Sequence, residues 1–291
     1  MKTGFPWPEG THCVAALSVN FDAQAYDLLS TTEDRLFGRF SYGRYGVRAG
    51  LPRLLGALDS LSIPATFFVT GADARRYPDE LKRIAQAGHE LAARGDDLKN
   101  PEASAELDWL QRGKQAVEQA GGVEVVGYRA PNGELTPHTL AHLVDLGFEY
   151  DASFQDDDAP YRFALANGEL VEIPSSYALN DAPAYSARHT HARLMKIWRE
   201  ESDALIDVDG LVSLTLQLRG DFGSTRAARI ALLRGYLADL KSRPGLRFMT
   251  HRELATWTRE SGSPVEQDPY APHAETLRNT VYRGDLAVKP I

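Results

Sequence analysis

The residues best able to do chemistry in this chain of 291 residues sit at the ends of short apolar runs. Asn20 and Asp22 follow "VAALSV", Arg94 with Asp96 and Asp97 follows "ELAA", Arg129 and Asn132 follow "VVGY", and Gln217 with Arg219 closes "LVSLTL". The guanidinium groups could hold a carboxylate or phosphate by paired hydrogen bonds, or stabilise an oxyanion as charge develops on a carbonyl. Asp22, Asp96, Asp97 and Glu134 are the candidates for proton transfer, their pKa values set by burial and by the approach of the arginines. In "GHELAARGDDL", Arg94 and Leu98 stand four residues apart.

For these residues to meet, the runs must be strands of one sheet. Eight of them (14–21, 64–71, 90–94, 125–131, 150–154, 170–174, 211–218 and 246–250) are almost continuously apolar, as strands covered on both faces are. Helical patterns separate them. In "GLPRLLGALDSLSI", Leu51, Leu54, Leu55, Leu58 and Leu61 mark one face. "YPDELKRIAQAG" has an early proline, acids in its first turn and Gly88 at its end. Asn100 is the expected cap of the helix through "PEASAELDWLQRGKQAVEQAGG", and "STRAARIALLRGYLADLKSR" reads as a long amphipathic helix. The alternation predicts an α/β fold with a parallel sheet, either a closed barrel or an open doubly wound sheet, and in both the reactive groups gather at the carboxyl ends of the strands.

Composition narrows the function classes. A net charge of -8 with Lys and Arg scattered through helical segments argues against a nucleic-acid surface. No run approaches the roughly 20 apolar residues that cross a bilayer, so no membrane partner is expected and a cytoplasmic location is. The single cysteine, Cys13, excludes an internal disulfide and reads as a small buried side chain. One domain over 1–291 is expected, with a core of about 12–257 and a C-terminal extension, 258–291, that lacks periodicity and wraps the outside or joins subunit contacts.

The ordered motifs "SVNFDAQA", "YGVRAGLPRLLGALDSLSIPATFFVTG", "GHELAARGDDLKNP", "GYRAPNGELTPHTLAHLVDLGFEYDASFQDDDAPYRF", "LVEIPSSYALNDAPAY" and "RFMTHRELATW" together resemble the polysaccharide deacetylase superfamily, NodB-like or carbohydrate esterase family 4. The branch resembled is the intracellular one of peptidoglycan-deacetylase-like proteins and cyclic imide hydrolases. The resemblance implies a distorted (β/α)7 barrel. It also implies one divalent metal between an aspartate and two histidines, with a second aspartate as base and a late histidine as acid. At those positions this chain has Asp22, Arg94 and Leu98, Asn20, and Gln217. An amide has no useful basicity, and a guanidinium repels a dication, so the expected site is metal-free and needs no cofactor. Arg129 matches the family's retained arginine, with Asp22 as its natural partner. Tyr42 and Tyr45 lie on a loop that in this branch approaches the active site, often from a neighbouring subunit, which implies a homo-oligomer, a dimer or tetramer.

The expectation is a metal-independent enzyme acting on a small carbonyl-bearing or anionic metabolite, by amide, imide or lactone hydrolysis or ring closure. Asp22 serves as acid or base and Arg94 and Arg129 stabilise negative charge; Asn20, Asp96, Asp97, Asn132, Glu134, Gln217, Arg219 and Tyr45 contact substrate. Alternatives are a structural Arg94–Asp22 ion pair in a silent ligand-binding or regulatory protein, and a deacetylase or imidase with a relocated site. The aspartates of "FQDDDAPYRF" read as a turn, and the insertion 186–210, opening on "HTH", as a cover for the pocket.

Overall fold

The computed structural model describes residues 2–267 and 269, so most of the expected C-terminal extension lies outside the described residues. Strands β1 (Cys13–Asn20), β2 (Thr66–Val69), β3 (Glu90–Ala93), β4 (Gly127–Tyr128), β5 (Tyr150–Asp151), β6 (Tyr161–Leu165), β7 (Gly168–Glu172), β8 (Leu211–Gln217), β9 (Leu246–Met249) and β10 (Val265–Gln267) form one sheet. Its parallel path runs β8-β1-β2-β3-β4-β5-β7. β9 pairs in parallel with the first half of β1, where β2 has splayed away, in the register Cys13↔Leu246. The segment after β7 returns to β8 through one bridge, Asn180↔Thr215, supported by Thr215 N–H donating to Leu179 O at 2.9 Å. Seven parallel strands thus form a ring joined at a single point.

Side-chain alternation along β1 explains how the ring becomes a site. Cys13, Ala15, Leu17 and Val19 pack outward against Leu51, Leu54 and Leu58 of the helix Leu51–Leu61. Val14 and Ala16 face inward with Phe68, Ala92, Val171 and Leu211. The next inward positions, Ser18 and Asn20, are polar, and β8 repeats the gradient through Leu211, Ser213, Thr215 and Gln217. The interior is therefore hydrocarbon at the floor and polar at the mouth. Helix His251–Glu260 closes the floor with Leu254 and Ala255, fixed at its start by a capping box in which Thr250 and Glu253 bond reciprocally.

The eight expected strands are present, and two more are not among those read from pattern. β6 forms an antiparallel hairpin with β7, and β10, cut from the start of the extension, pairs in parallel with β6. Asn100 is not a helix cap. A 3-10 turn over Ala103–Ala105 intervenes before the helix Glu106–Gly121, and the Asn100 amide donates to Glu134 instead. Among the described residues no helix is long and apolar enough to cross a membrane.

Candidate active site

Arg94 leaves the end of β3, and its Nε donates to Asp22 Oδ1 at 2.9 Å and to Oδ2 at 3.2 Å; Nη1 donates to Ala130 O at 3.0 Å. Both side chains are more than nine-tenths buried. Nη2 of Arg94 has no hydrogen-bond partner among the described residues, yet it is not among the buried unpaired atoms, so it remains open to the cavity that Arg94 lines. Gly95, with φ +71°, turns the chain away immediately afterwards. A Cβ there would lie 1.9 Å from the Trp109 ring, so only glycine permits the turn.

Asp22 is aimed by a buried acid beneath it. Asp73 accepts Ala23 N–H at 2.8 Å and Ala25 N–H at 3.1 Å, which fixes the turn after β1. Burial pushes the Asp73 pKa up to about 7, against the pull of those two donors. Asp181 plays the matching part for β8: it accepts Gln217 N–H at 3.0 Å and is likewise raised by burial to about 7.

Arg129 lies deeper. Its Nε donates to Ala152 O at 2.9 Å and its Nη1 to Ser18 Oγ at 2.8 Å, with Asn20 Oδ1 at 3.4 Å, while the guanidinium lies 4.1 Å over the Phe68 ring. Among the described residues no carboxylate comes within ion-pair distance of it. Burial, and then the Arg94 charge, lower its pKa to about 9, which still leaves a cation at neutral pH. The neighbouring His251 is held well below its ordinary value by burial and then by Arg129, so it is a neutral ring.

A pair of acids stands behind the wall. Asp151 Oδ1 accepts from Ser153 Oγ at 2.6 Å, and Ser153 Oγ accepts Ala130 N–H at 2.8 Å. Glu172 Oε1 accepts Phe154 N–H at 3.1 Å. The remaining oxygens, Asp151 Oδ2 and Glu172 Oε2, are sealed from solvent with no hydrogen-bond partner among the described residues. Burial raises both.

These groups surround a cavity of about 400 Å³ at the carboxyl ends of the strands. A structure from Mycobacterium smegmatis assigned to the polysaccharide deacetylases is 34% identical, with a TM-score of 0.83 over 91% of this chain and 96% of that one. The chain belongs to the polysaccharide deacetylase superfamily. The model of the polysaccharide deacetylase family matches residues 32–150. The peptidoglycan deacetylase of Helicobacter pylori is 29% identical over 197 residues, 58% of this chain and 67% of the relative. The PuuE allantoinase structure shares the fold, with a TM-score of 0.77 at 21% identity over 89% of this chain and 94% of that one.

On this deacetylase scaffold, Asn20, Asp22, Arg94, Arg129, Asn132 and Gln217 all line the cavity, as strand-end position predicts. The others do not. Arg219 is 1% exposed and spent on Asp27 at 2.6 Å and Asp221 at 3.0 Å, so its charge is neutralised away from the cavity wall. The Gly95 turn sends Asp96 to Arg75 and Arg112, and Asp97 caps Lys99 N–H. Glu134 accepts from Asn100, and Tyr45 OH accepts from Arg53 while its ring lies under Arg226. Of the two partners expected for Asp22, Arg94 makes the pair and Arg129 does not, because Arg129 sits one layer lower.

The sequence reading passed over Tyr26, Tyr177 and Phe222, which with Leu98 supply much of the cavity's hydrocarbon wall. Thr215 and Ser153 also line it; Thr215, two positions before Gln217 on one strand face, was within reach of the alternation rule.

The donors present do not fit a divalent cation. Both Asp22 oxygens face Arg94 Nε, Leu98 offers no lone pair, and among the described residues no three His, Cys, Asp or Glu side chains are grouped to hold an ion.

Proposed function

We propose that this chain is a metal-independent enzyme on the deacetylase scaffold, acting on a small carbonyl-bearing or anionic metabolite by amide, imide or lactone hydrolysis or the reverse ring closure. The observation that carries this reading is the state of Arg94. It is oriented by Asp22 and Ala130, lines the cavity, and has no hydrogen-bond partner for Nη2 among the described residues.

A carbonyl oxygen set against Arg94 Nη2 would gain a charge-assisted hydrogen bond that strengthens as the oxygen becomes an oxyanion. Asp22 would take a proton from the attacking water as its oxygen bonds to the carbonyl carbon. It would return that proton to the departing nitrogen or oxygen as the carbon–heteroatom bond breaks. Arg129 would add fixed positive charge from below. The 400 Å³ cavity is of a size that encloses a small molecule.

A second reading, a catalytically silent ligand-binding protein, draws support from the same pair, since Arg94 Nε engages both Asp22 oxygens and Asn20 offers no base. Turnover of a panel of amides, imides and lactones by the wild type, Asp22→Asn and Arg94→Ala separates the two. The enzyme reading expects wild-type turnover and a loss of about 100-fold or more in folded Asp22→Asn. No turnover by the wild type would favour the silent protein, and undiminished rates in folded Asp22→Asn would overturn the role given to Asp22.

A further inference from the structure

The cavity at the mouth adjoins a second one of about 450 Å³, and Gln155, Ser175 and Tyr177 line both. The second compartment is completed by Asp156, Asp157, Asp158 and Ser213. Asp156 accepts from Tyr161 OH at 3.1 Å and Asp157 Oδ1 accepts Ala159 N–H at 3.0 Å, so the segment does form the expected turn. Among the described residues no Lys, Arg or His pairs with any of the three, whereas Asp96, Asp27 and Asp221 elsewhere are all matched by arginines.

The acids are held in place by the barrel itself. Leu211 N–H donates to Asp158 O at 2.7 Å, which pins the turn to the start of β8. Two residues along the same inward face is Ser213, 2% exposed, whose Oγ has no hydrogen-bond partner. A buried hydroxyl left unpaired costs stability, and such a group is kept where a ligand supplies the missing bond. Thr215 and Gln217, next on that face, line the first compartment, so one strand runs beneath both.

We propose that the second compartment binds an ammonium group, which makes the substrate class small amine-bearing carbonyl compounds, with the carbonyl against Arg94 and the amine among Asp157, Asp158 and Ser213. The carbonyl half of this assignment rests on the function proposed above; the amine half stands on the second compartment alone. Unpaired carboxylates at one end and a partly free guanidinium at the other select a ligand whose charges are separated in the same sense. The acids are exposed, so the selection weakens with salt. Their arrangement does not group three ligands around a metal ion among the described residues.

Calorimetric titration of the intact protein at low ionic strength with hexanoate, hexylamine and 6-aminohexanoate tests this. The expected order has 6-aminohexanoate about ten-fold or more tighter than hexanoate, since it adds a charge pair with the acids. Asp157→Asn with Asp158→Asn, both at exposed positions, should remove that advantage and hexylamine binding while leaving hexanoate unchanged. Ser213→Ala should weaken both amines and raise the melting temperature. Failure of hexylamine to bind, or an amine advantage that survives the double substitution, overturns the proposal. Hexanoate binding that ignores Arg94→Ala, alongside Asp157- and Asp158-dependent hexylamine binding, would instead sink only the reading of the first compartment.

Discussion

Removing one partner of the Arg94–Asp22 pair is not equivalent to removing both. Either single substitution leaves a charge more than nine-tenths buried without its counter-ion, and such losses run to about 3–5 kcal/mol. Arg94→Met together with Asp22→Leu fills the same space with hydrocarbon and should cost much less than the sum of the singles. Urea unfolding of the four proteins measures the coupling, and strict additivity would mean the pair contributes little. Arg94 and Asp22 were legible in the sequence because both stand at strand ends and the resemblance fixes the spacing that points Asp22 into the mouth. Asp73 and Asp181 were not. They sit in the short helices Gly71–Arg76 and Asp181–Ser186, and their role is to accept backbone N–H groups far away in sequence, which leaves no trace in local spacing.

At the scale of elements, the turn after β3 decides which acids reach the cavity. Gly95→Ala forces a Cβ into the Trp109 ring and a side chain into left-handed backbone, so the turn must rebuild. The expected outcome is a loss of about 3 kcal/mol or more, read from chemical denaturation, with Trp109 fluorescence altered. An unchanged midpoint would show that the turn does not set the Arg94 geometry. The sequence reading placed Asp96 and Asp97 at the mouth because it followed strand direction and could not see this reversal. It missed β6 because an antiparallel hairpin strand half open to solvent lacks the continuous apolarity that marks the buried strands. The helices Leu51–Leu61 and Pro78–Gln86 were legible almost to the residue, since proline and the leucine stripe mark their starts and faces.

Across the whole molecule the buried acids set a pH dependence. Asp73 and Asp181 are raised to about 7 and Asp151 to about 6, above an ordinary carboxyl near 4. The folded chain holds these protons more tightly than the unfolded one, so their stabilisation is full below about pH 4 and is lost as pH rises through about 6 and 7. His251, depressed by burial, opposes this by costing stability once pH falls below about 6.5. The melting temperature should therefore decline from about pH 6.5 to about pH 8, where only the acids still act. Glu172→Gln keeps an oxygen for Phe154 N–H and removes the charge whose neighbourhood, with burial, raises these two carboxyls. Its profile should be flatter than the wild type over that range, and parallel profiles would show that the two carboxyls titrate independently.

The proposed reaction depends on the Arg94 guanidinium, and on no bound metal ion, to stabilise the charge that develops on the carbonyl oxygen. Turnover of the best substrate from the carbonyl panel, measured on one preparation before and after exhaustive chelation and again after zinc is added back, tests it most directly. Rates unchanged by chelation and by zinc are expected; a rate lost on chelation and restored by zinc would contradict it.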